Sequence, residues 1–331
     1  MGRYLVTGVA GFIASKVAEI LLTEGQTVVG VDNLNNAYDV RLKHWRLDRI
    51  SNHSGMQFFR LDVCNRKALH ELLAEQATRW GAFDAVINLA ARAGVRQSLA
   101  DPWGYLDTNT TGTLNLLELC REFGIPKFVQ ASSSSLYGKG GVMPYQEDAD
   151  TDRPLSPYAA SKKAAEALCY TYNHLYHVDI TIFRYFTVYG PAGRPDMIPF
   201  RLVQWISEGW PVRIYGDGQQ SRDFTYVDDV ARGTIAGLKR VGCEIINLGS
   251  DRPVVLLDAV RLVERLVGQR AQLQFSPTHA ADVRITWADI SRARERLGWR
   301  PSIDFEAGVG ELVTWYQENR SWAREIETGD L

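Results

Sequence analysis

The chain has 331 residues, more than most single compact cores hold and suited to one large domain with a smaller lobe. At 45% hydrophobic and 23% charged it has the composition of a globular protein, and a formal charge of −2 gives no net pull toward nucleic acid or a membrane surface. Four scattered cysteines with no CxxC pair, six histidines with no HExxH spacing and the lack of any apolar run of about 18 residues argue against a disulfide framework, a metal site and a membrane-spanning helix. A reduced, cytoplasmic protein with no leader segment is therefore expected.

Residues 3–7 read as a short buried strand, and a GxxGxxA turn follows it, running from Gly8 through Gly11, Phe12 and Ile13 to Ala14. The stretch 12–23 places Ile13, Val17, Ile20 and Leu21 on one helical face. Glycines between a strand and a helix let the backbone approach a ligand, and the helix start points free N–H groups at a pyrophosphate. The second strand, 27–31, leads to Asp32 and Asn33. A carboxylate there can accept from both hydroxyls of a ribose and repels a 2′-phosphate, which favours NAD over NADP; a helix cap is the alternative role for Asp32. Arg41, Lys43, His44, Arg46 and Arg49 follow, and they read as a solvated helix face in preference to a phosphate site.

Further along, 57–61 is a strand followed by Asp62 and Val63, where the adenine edge should lie, and 66–77 is helical. The strand at 85–89 runs into Asn88-Leu89-Ala90-Ala91, whose small side chains would let a cofactor lie close to the sheet; a plain packing role suits Ala90 and Ala91 equally. Asp101-Pro102 and Ser156-Pro157 mark the starts of helices at 102–123 and 157–177 by pairing a capping oxygen with a first-turn proline. Strands at 127–131 and 179–183 complete the alternation, and His174 and His177 read as surface or packing residues. Strict strand–helix alternation implies a Rossmann-type, doubly wound parallel α/β sheet covered on both faces, with a smaller α/β lobe. The expected division is a dinucleotide-binding domain at 1–184, revisited at about 217–245, and a substrate lobe from 185–216 and 246–331.

The sharpest chemical signal is Tyr158 and Lys162, four apart on one helical face. A nearby cation, with an oxidised nicotinamide, would bring a phenol from its ordinary pKa of about 10 toward neutrality. The phenolate could then take a proton from a hydroxyl as hydride leaves its carbon. Ser132, Ser133, Ser134 and Ser135 stand at the end of the fifth strand, where a hydroxyl can hold the reacting oxygen.

Taken together, TGxxGFI, Asp32, NLAA, SSSSLYG, YxxxK and the run from Arg222 to Val230 resemble the NAD-dependent nucleotide-sugar epimerase/dehydratase family, of the extended short-chain dehydrogenase/reductase type, over nearly the whole chain. The segments AARAGVR at 90–96 and RYFTVYGPAGRPDM at 184–197 are similar to the UDP-glucuronate 4-epimerases within it. The resemblance implies a bound NAD near Gly8, Gly11, Phe12, Ile13, Asp32, Asn33, Asp62, Val63, Leu89, Ala90, Ala91, Tyr158 and Lys162. It implies that Tyr158 is the general base and acid, Lys162 its electrostatic partner, Ser133 the orienting hydroxyl and Asn109 a nearby helix asparagine. It places Arg222 on the nucleotide diphosphate and Asp282 on the nucleotide ribose, with Tyr215 and Arg284 as further candidates in the nucleotide pocket and Arg96 as a substrate-binding residue.

Ser134, Ser135, Thr187 and Arg194 could hold a sugar carboxylate by charge-assisted hydrogen bonds. Ser134 and Ser135 stand where dehydrating or decarboxylating members often carry acids. The expected reaction is thus reversible 4-epimerisation of UDP-glucuronate to UDP-galacturonate through a 4-keto sugar, with no metal. A 4-epimerase of neutral UDP-hexoses or their N-acetyl forms, a UDP-glucuronate decarboxylase and a non-catalytic NAD-binding sensor remain as alternatives. A homodimer through the helices at 102–123 and 157–177 is expected. Ala14, Arg92, Ile198-Pro199 and Ala281 depart from the usual family residues.

Overall fold

The computed structural model describes residues 2–138, 142–277 and 283–329. Its first half alternates regularly: β1 (Arg3–Thr7), α1 (Phe12–Thr23), β2 (Thr27–Asp32), α2 (Val40–Ser51), β3 (Met56–Arg60), α3 (Arg66–Trp80) and β4 (Ala85–Asn88). Then come α4 (Gln97–Ala100), α5 (Pro102–Leu106), α6 (Gly112–Glu122), β5 (Lys127–Ser133), α7 (Pro157–Tyr176) and β6 (Asp179–Tyr185). The remainder contains β7 (Thr187–Tyr189), α8 (Ile198–Ser207), β8 (Pro211–Tyr215), β9 (Ser221–Tyr226), α9 (Val227–Ala236), β10 (Cys243–Leu248) and β11 (Pro253–Val255). It closes with α10 (Leu256–Val267), β12 (Gln272–Ser276), α11 (Ser291–Leu297), α12 (Phe305–Glu318) and α13 (Arg320–Ala323).

Seven strands form one parallel sheet in the order β10-β6-β5-β4-β1-β2-β3. Strand order reverses between β1 and β4, and a crevice opens at such a switch point beyond the carboxyl ends of the strands. Fully buried β-branched and aromatic side chains of the strands feed two apolar clusters, as a sheet covered on both faces requires. A third cluster lies in the smaller lobe, under α8, α10 and α12, beside a three-stranded sheet (β11-β9-β7) and a two-stranded sheet (β12-β8). After β9 the chain returns: α9 packs on α1, and β10 joins the large sheet beside β6.

The anticipated caps are present. Asp101 accepts from Gly104 N at 3.1 Å, and Ser156 Oγ accepts from Ala159 N at 3.1 Å. Three expectations change. The helix expected at 102–123 is two helices joined by a π turn at Asp107–Thr111. Strands β5 and β6 each run two residues further than their apolar patterns suggest, because Ser132 pairs with Arg184 and Ser133 with Tyr185. The basic stretch on α2 is solvated only in part: His44 and Arg49 are exposed and Arg41 is half-buried, but Lys43 is 5% exposed and Arg46 is 3% exposed. Arg46 spends its guanidinium on the Ala10 and Ala192 carbonyls and on the Tyr38 hydroxyl, tying α2 to the glycine turn and to the loop after β7. Backbone acceptors thus satisfy a charge that periodicity alone assigns to water.

Candidate active site

A cleft of about 980 Å³ lies over the carboxyl ends of the central strands. Its floor at β1 is backbone. Gly8 has φ of +67°, and a Cβ there would come within 2.8 Å of the Ala90 Cα. A Cβ at Gly11 would meet the Gly8 carbonyl at 2.7 Å. Only glycine satisfies the first position, and the resulting turn presents the start of α1 to the cleft. Such a cradle, with a carboxylate at the end of β2, fits a dinucleotide.

Of the residues expected around a cofactor, Gly8, Gly11, Phe12, Ile13, Asp32, Asn33, Val63, Leu89, Ala90, Ala91, Tyr158 and Lys162 all line this cleft. Asp62 stands just behind, accepting from Asn33 Nδ2 at 2.7 Å and from Cys64 N at 2.8 Å, contacts that hold its carboxyl below the ordinary range against the opposing effect of burial. Asp32 takes Ala10 N at 3.2 Å on one oxygen and Leu34 N at 2.8 Å on the other. A carboxylate has about four acceptor sites, so capacity for ribose hydroxyls remains.

At the other end of the cleft, β5 delivers Ser133, the 3-10 turn after it (Ser134–Tyr137) delivers Ser134 and Ser135, and the first turns of α7 deliver Tyr158 and Lys162. Ser133 Oγ lies beside the Tyr158 phenol and donates to Ser135 Oγ at 3.1 Å. Lys162 Nζ donates to the Ala131 carbonyl at 2.9 Å. Burial raises the Tyr158 phenol above its ordinary value, while the Ser133 hydroxyl and the Arg194 charge pull it down. The lowering expected from sequence is therefore absent in the protein alone; a positive nicotinamide would have to supply it. Burial also lowers Lys162, to about 8, against the opposing pull of Cys169 and Glu166. A phenol, a buried amine and a hydroxyl grouped in this way can move a proton on and off one substrate oxygen.

Asn109 lies in the π turn, one side chain away from this group. Its oxygen accepts from Arg92 N, and its amide donates to Arg92 O and Ser161 Oγ, each at 2.9 Å. It fastens the loop after β4 to α7 beside Lys162.

Thr187 and Arg194 face the same cleft. Arg194 is already engaged: Nε and Nη2 fork onto Asp196 at 3.1 and 2.6 Å, and Nη2 also meets the Ala93 carbonyl at 3.0 Å. Arg96, Tyr215 and Arg222 do not line the cleft. Arg96 lies over the Tyr215 ring at 5.0 Å, and Arg222 donates to the Ser221 and Arg284 carbonyls. They form a neighbouring polar surface near β8 and β9. Asp282 and Ala281 lie outside the described residues. No group of three potential metal ligands occurs among the described residues.

Sequence reasoning missed several residues of the cleft wall. Lys43 reaches in from α2, 3.5 Å from Asp32. Asp196, the partner of Arg194, is another. Glu325, Glu327, Thr328 and Gly329 come from the far end of the chain, with Arg41 and Glu325 paired at 2.8 Å and Arg201 holding the Thr328 carbonyl. Only Lys43 left a signal, as a cation among apolar α2 positions; nothing local marks the C-terminal segment.

Residues 4–249 match the family model described as NAD dependent epimerase/dehydratase family. A UDP-glucuronate 4-epimerase of Thermodesulfobacterium geofontis is 53% identical over 99% of this chain and 100% of its own length. The crystal structure of UDP-glucuronic acid 4-epimerase from Bacillus cereus, in complex with UDP-glucuronic acid and NAD, superposes with a TM-score of 0.89 at 36% identity, covering 96% of this chain and 99% of that one. A UDP-glucose 4-epimerase from Thermotoga maritima, with UDP-glucose, superposes with a TM-score of 0.88 at 29% identity over 96% of this chain and 99% of that one. On its fold, its cleft and these likenesses, the chain belongs to the NAD-dependent epimerase/dehydratase family.

Proposed function

We propose that this protein interconverts UDP-glucuronate and UDP-galacturonate by 4-epimerisation, with NAD retained throughout. The observation that carries the reading is the meeting of Tyr158, Lys162 and Ser133 in the cleft that also holds the Gly8–Gly11 cradle and Asp32. The likeness to UDP-glucuronate 4-epimerases over the full chain supports the acid sugar. When bound, NAD supplies the hydride acceptor and, on the return step, the donor.

Tyr158 takes the proton from the 4-hydroxyl and, once the 4-keto ring has turned over in the cleft, returns it to the same oxygen. Lys162 stabilises the phenolate as a buried ammonium, and Ser133 orients the reacting oxygen. The 4-keto acid is prone to lose carbon dioxide, so the carboxylate must be held. Ser134, Ser135 and Thr187 offer hydroxyl donors on the same wall, and Arg194 adds positive charge. Neutral Ser134 and Ser135 leave the extra proton shuttle of a dehydratase without a group to carry it. Arg222, Arg96 and Tyr215 are assigned to the nucleotide end, and Asp282 to its ribose.

One observation favours a second reading. The Asp196 carboxylate balances Arg194, so a neutral hexose could also sit beside it. Product NMR separates the two: UDP-glucuronate should yield UDP-galacturonate without loss of carbon dioxide. Unchanged UDP-glucuronate alongside rapid epimerisation of UDP-glucose would transfer the assignment to neutral sugars.

We further assign the cofactor domain to residues 1–184 with α9 and β10, and substrate binding to the remaining lobe. A homodimer through α5, α6 and α7 is supported by exposed Leu99, Trp103 and Tyr170 on or beside these helices, Trp103 being 74% exposed. Light scattering should report twice the chain mass, and Trp103→Asp should lower it. Four unpaired cysteines agree with a reducing cytoplasm.

A further inference from the structure

Four residues beyond Lys162, and so on the same face of α7, the helix carries Glu166. It is 4% exposed and points not into the cleft but behind it. Arg184 of β6, 2% exposed, forks onto it: Nε meets Oε1 at 3.0 Å and Nη2 meets Oε2 at 2.8 Å. Ser132 Oγ donates to the same Oε1 at 2.6 Å. The third guanidinium nitrogen donates to the Glu147 carbonyl at 2.9 Å, and the Tyr137 ring lies 5.0 Å from the guanidinium carbon.

The placement of this cluster in the strand register gives it meaning. Ser132 and Arg184 are paired across β5 and β6. Ala131, the residue before Ser132, accepts a hydrogen bond from Lys162, and Ser133, the residue after it, stands beside Tyr158 on the cleft wall. The Glu166 fork therefore grips the one strand residue that stands between the two contacts of the reacting group. A buried ion pair has a large desolvation cost and is a poor way to gain stability, so its position calls for another explanation.

Resting on the roles given above to Tyr158, Lys162 and Ser133, we infer that Glu166 and Arg184 are positioning residues: their fork holds the end of β5 in register with α7 and supplies the counter-charge behind Lys162. Around Lys162, α7 itself contributes Tyr158, Glu166 and Cys169, β6 contributes Arg184 and Tyr185, α5 contributes Tyr105 against Tyr158, and the loop after β7 contributes Arg194. Glu166 is the sole carboxylate of this set, so its loss is not made good by a neighbour.

The test uses the NAD-loaded holoenzyme with 13C-labelled lysine, in which the Lys162 signal is identified by its absence from Lys162→Met. In Glu166→Gln, two buried cations remain with no counter-charge between them, and Lys162 is expected to release its proton about one pH unit lower than in the parent protein. Glu166→Gln combined with Arg184→Gln removes one charge of each sign and should bring the midpoint back. A Lys162 midpoint that does not move in folded Glu166→Gln overturns the inference. Should the single variant fail to fold, the double variant decides, since it loses the fork at constant net charge. Its kcat should fall about tenfold with KM unchanged; parental kcat and KM together would overturn the positioning role. The lysine titration needs no substrate, so a failure here is distinguishable from a failure of the epimerase reading, which shows as no turnover by the parent protein.

Discussion

Along β1 and β2 the cleft wall is largely backbone: the Gly8 turn, and carboxylates that accept backbone N–H groups, Asp32 from Ala10 N and Leu34 N and Asp62 from Cys64 N, with the Asn33 amide as well. Along β5, β7 and the turn that follows, the wall is side chain: Ser133 on Tyr158, Lys162 on the Ala131 carbonyl, and Arg194 on Asp196. The first wall can only grip, and a cofactor that is regenerated in each cycle needs only to be gripped. In the proposed reaction the second wall holds a phenolate, a ring that turns over and a carboxylate, and its groups are polar side chains that engage one another. Removing a glycine from the first wall should empty the site, whereas removing a side chain from the second should leave it filled and slow.

Four measurements test that contrast. Tyr158→Phe should lose about 10²- to 10⁴-fold in kcat, as expected when a general base is removed, while keeping its NAD. Near-parental turnover would remove Tyr158 from its assigned role. Gly8→Val should do the reverse. A branched side chain at φ +67° and 2.8 Å from the Ala90 backbone costs on the order of 1–3 kcal/mol and displaces the turn. Purified protein should then carry little NAD by its absorbance ratio, and full occupancy would show that the glycine turn is not the cradle.

Arg194→Ala should raise KM for UDP-glucuronate by roughly tenfold and leave KM for UDP-glucose nearly unchanged. Equal effects on both sugars would mean that Arg194 acts through Asp196 and Ala93 on the loop, not on the carboxylate. The smallest effect is on pH dependence. Burial places Lys162 near 8, so its ammonium, the form that stabilises a phenolate, is lost as pH rises through that value. Turnover should decline on the alkaline side of about 8, and a flat profile to pH 10 would show that NAD and the Tyr158 phenolate restore an ordinary lysine.

The two walls also differed in how visible they were beforehand. The glycine turn, Asp32 and the Tyr158–Lys162 pair are local signals, each spanning one turn or one βα unit, and all fall in the cleft. Caps at Asp101 and Ser156 were legible for the same reason. Arg194 was found by resemblance, but its partner Asp196 was not, because an ion pair two residues apart looks like any charged turn. The burial of Lys43 and Arg46 departs from the local pattern, because a basic helix face is ordinarily solvated and only the packing of α2 on the glycine turn makes it otherwise.

Spacing within a few residues already carries the alternation of strands and helices, the glycine turn after β1 and the placing of Tyr158 and Lys162 on one helical face. Which distant groups stand behind them follows from packing alone: Arg184 opposite Glu166, Lys43 beside Asp32, and the segment near Glu325 at the rim of the cleft. Those partners are set by strand register and helix packing across tens to hundreds of residues, and no local periodicity encodes a register.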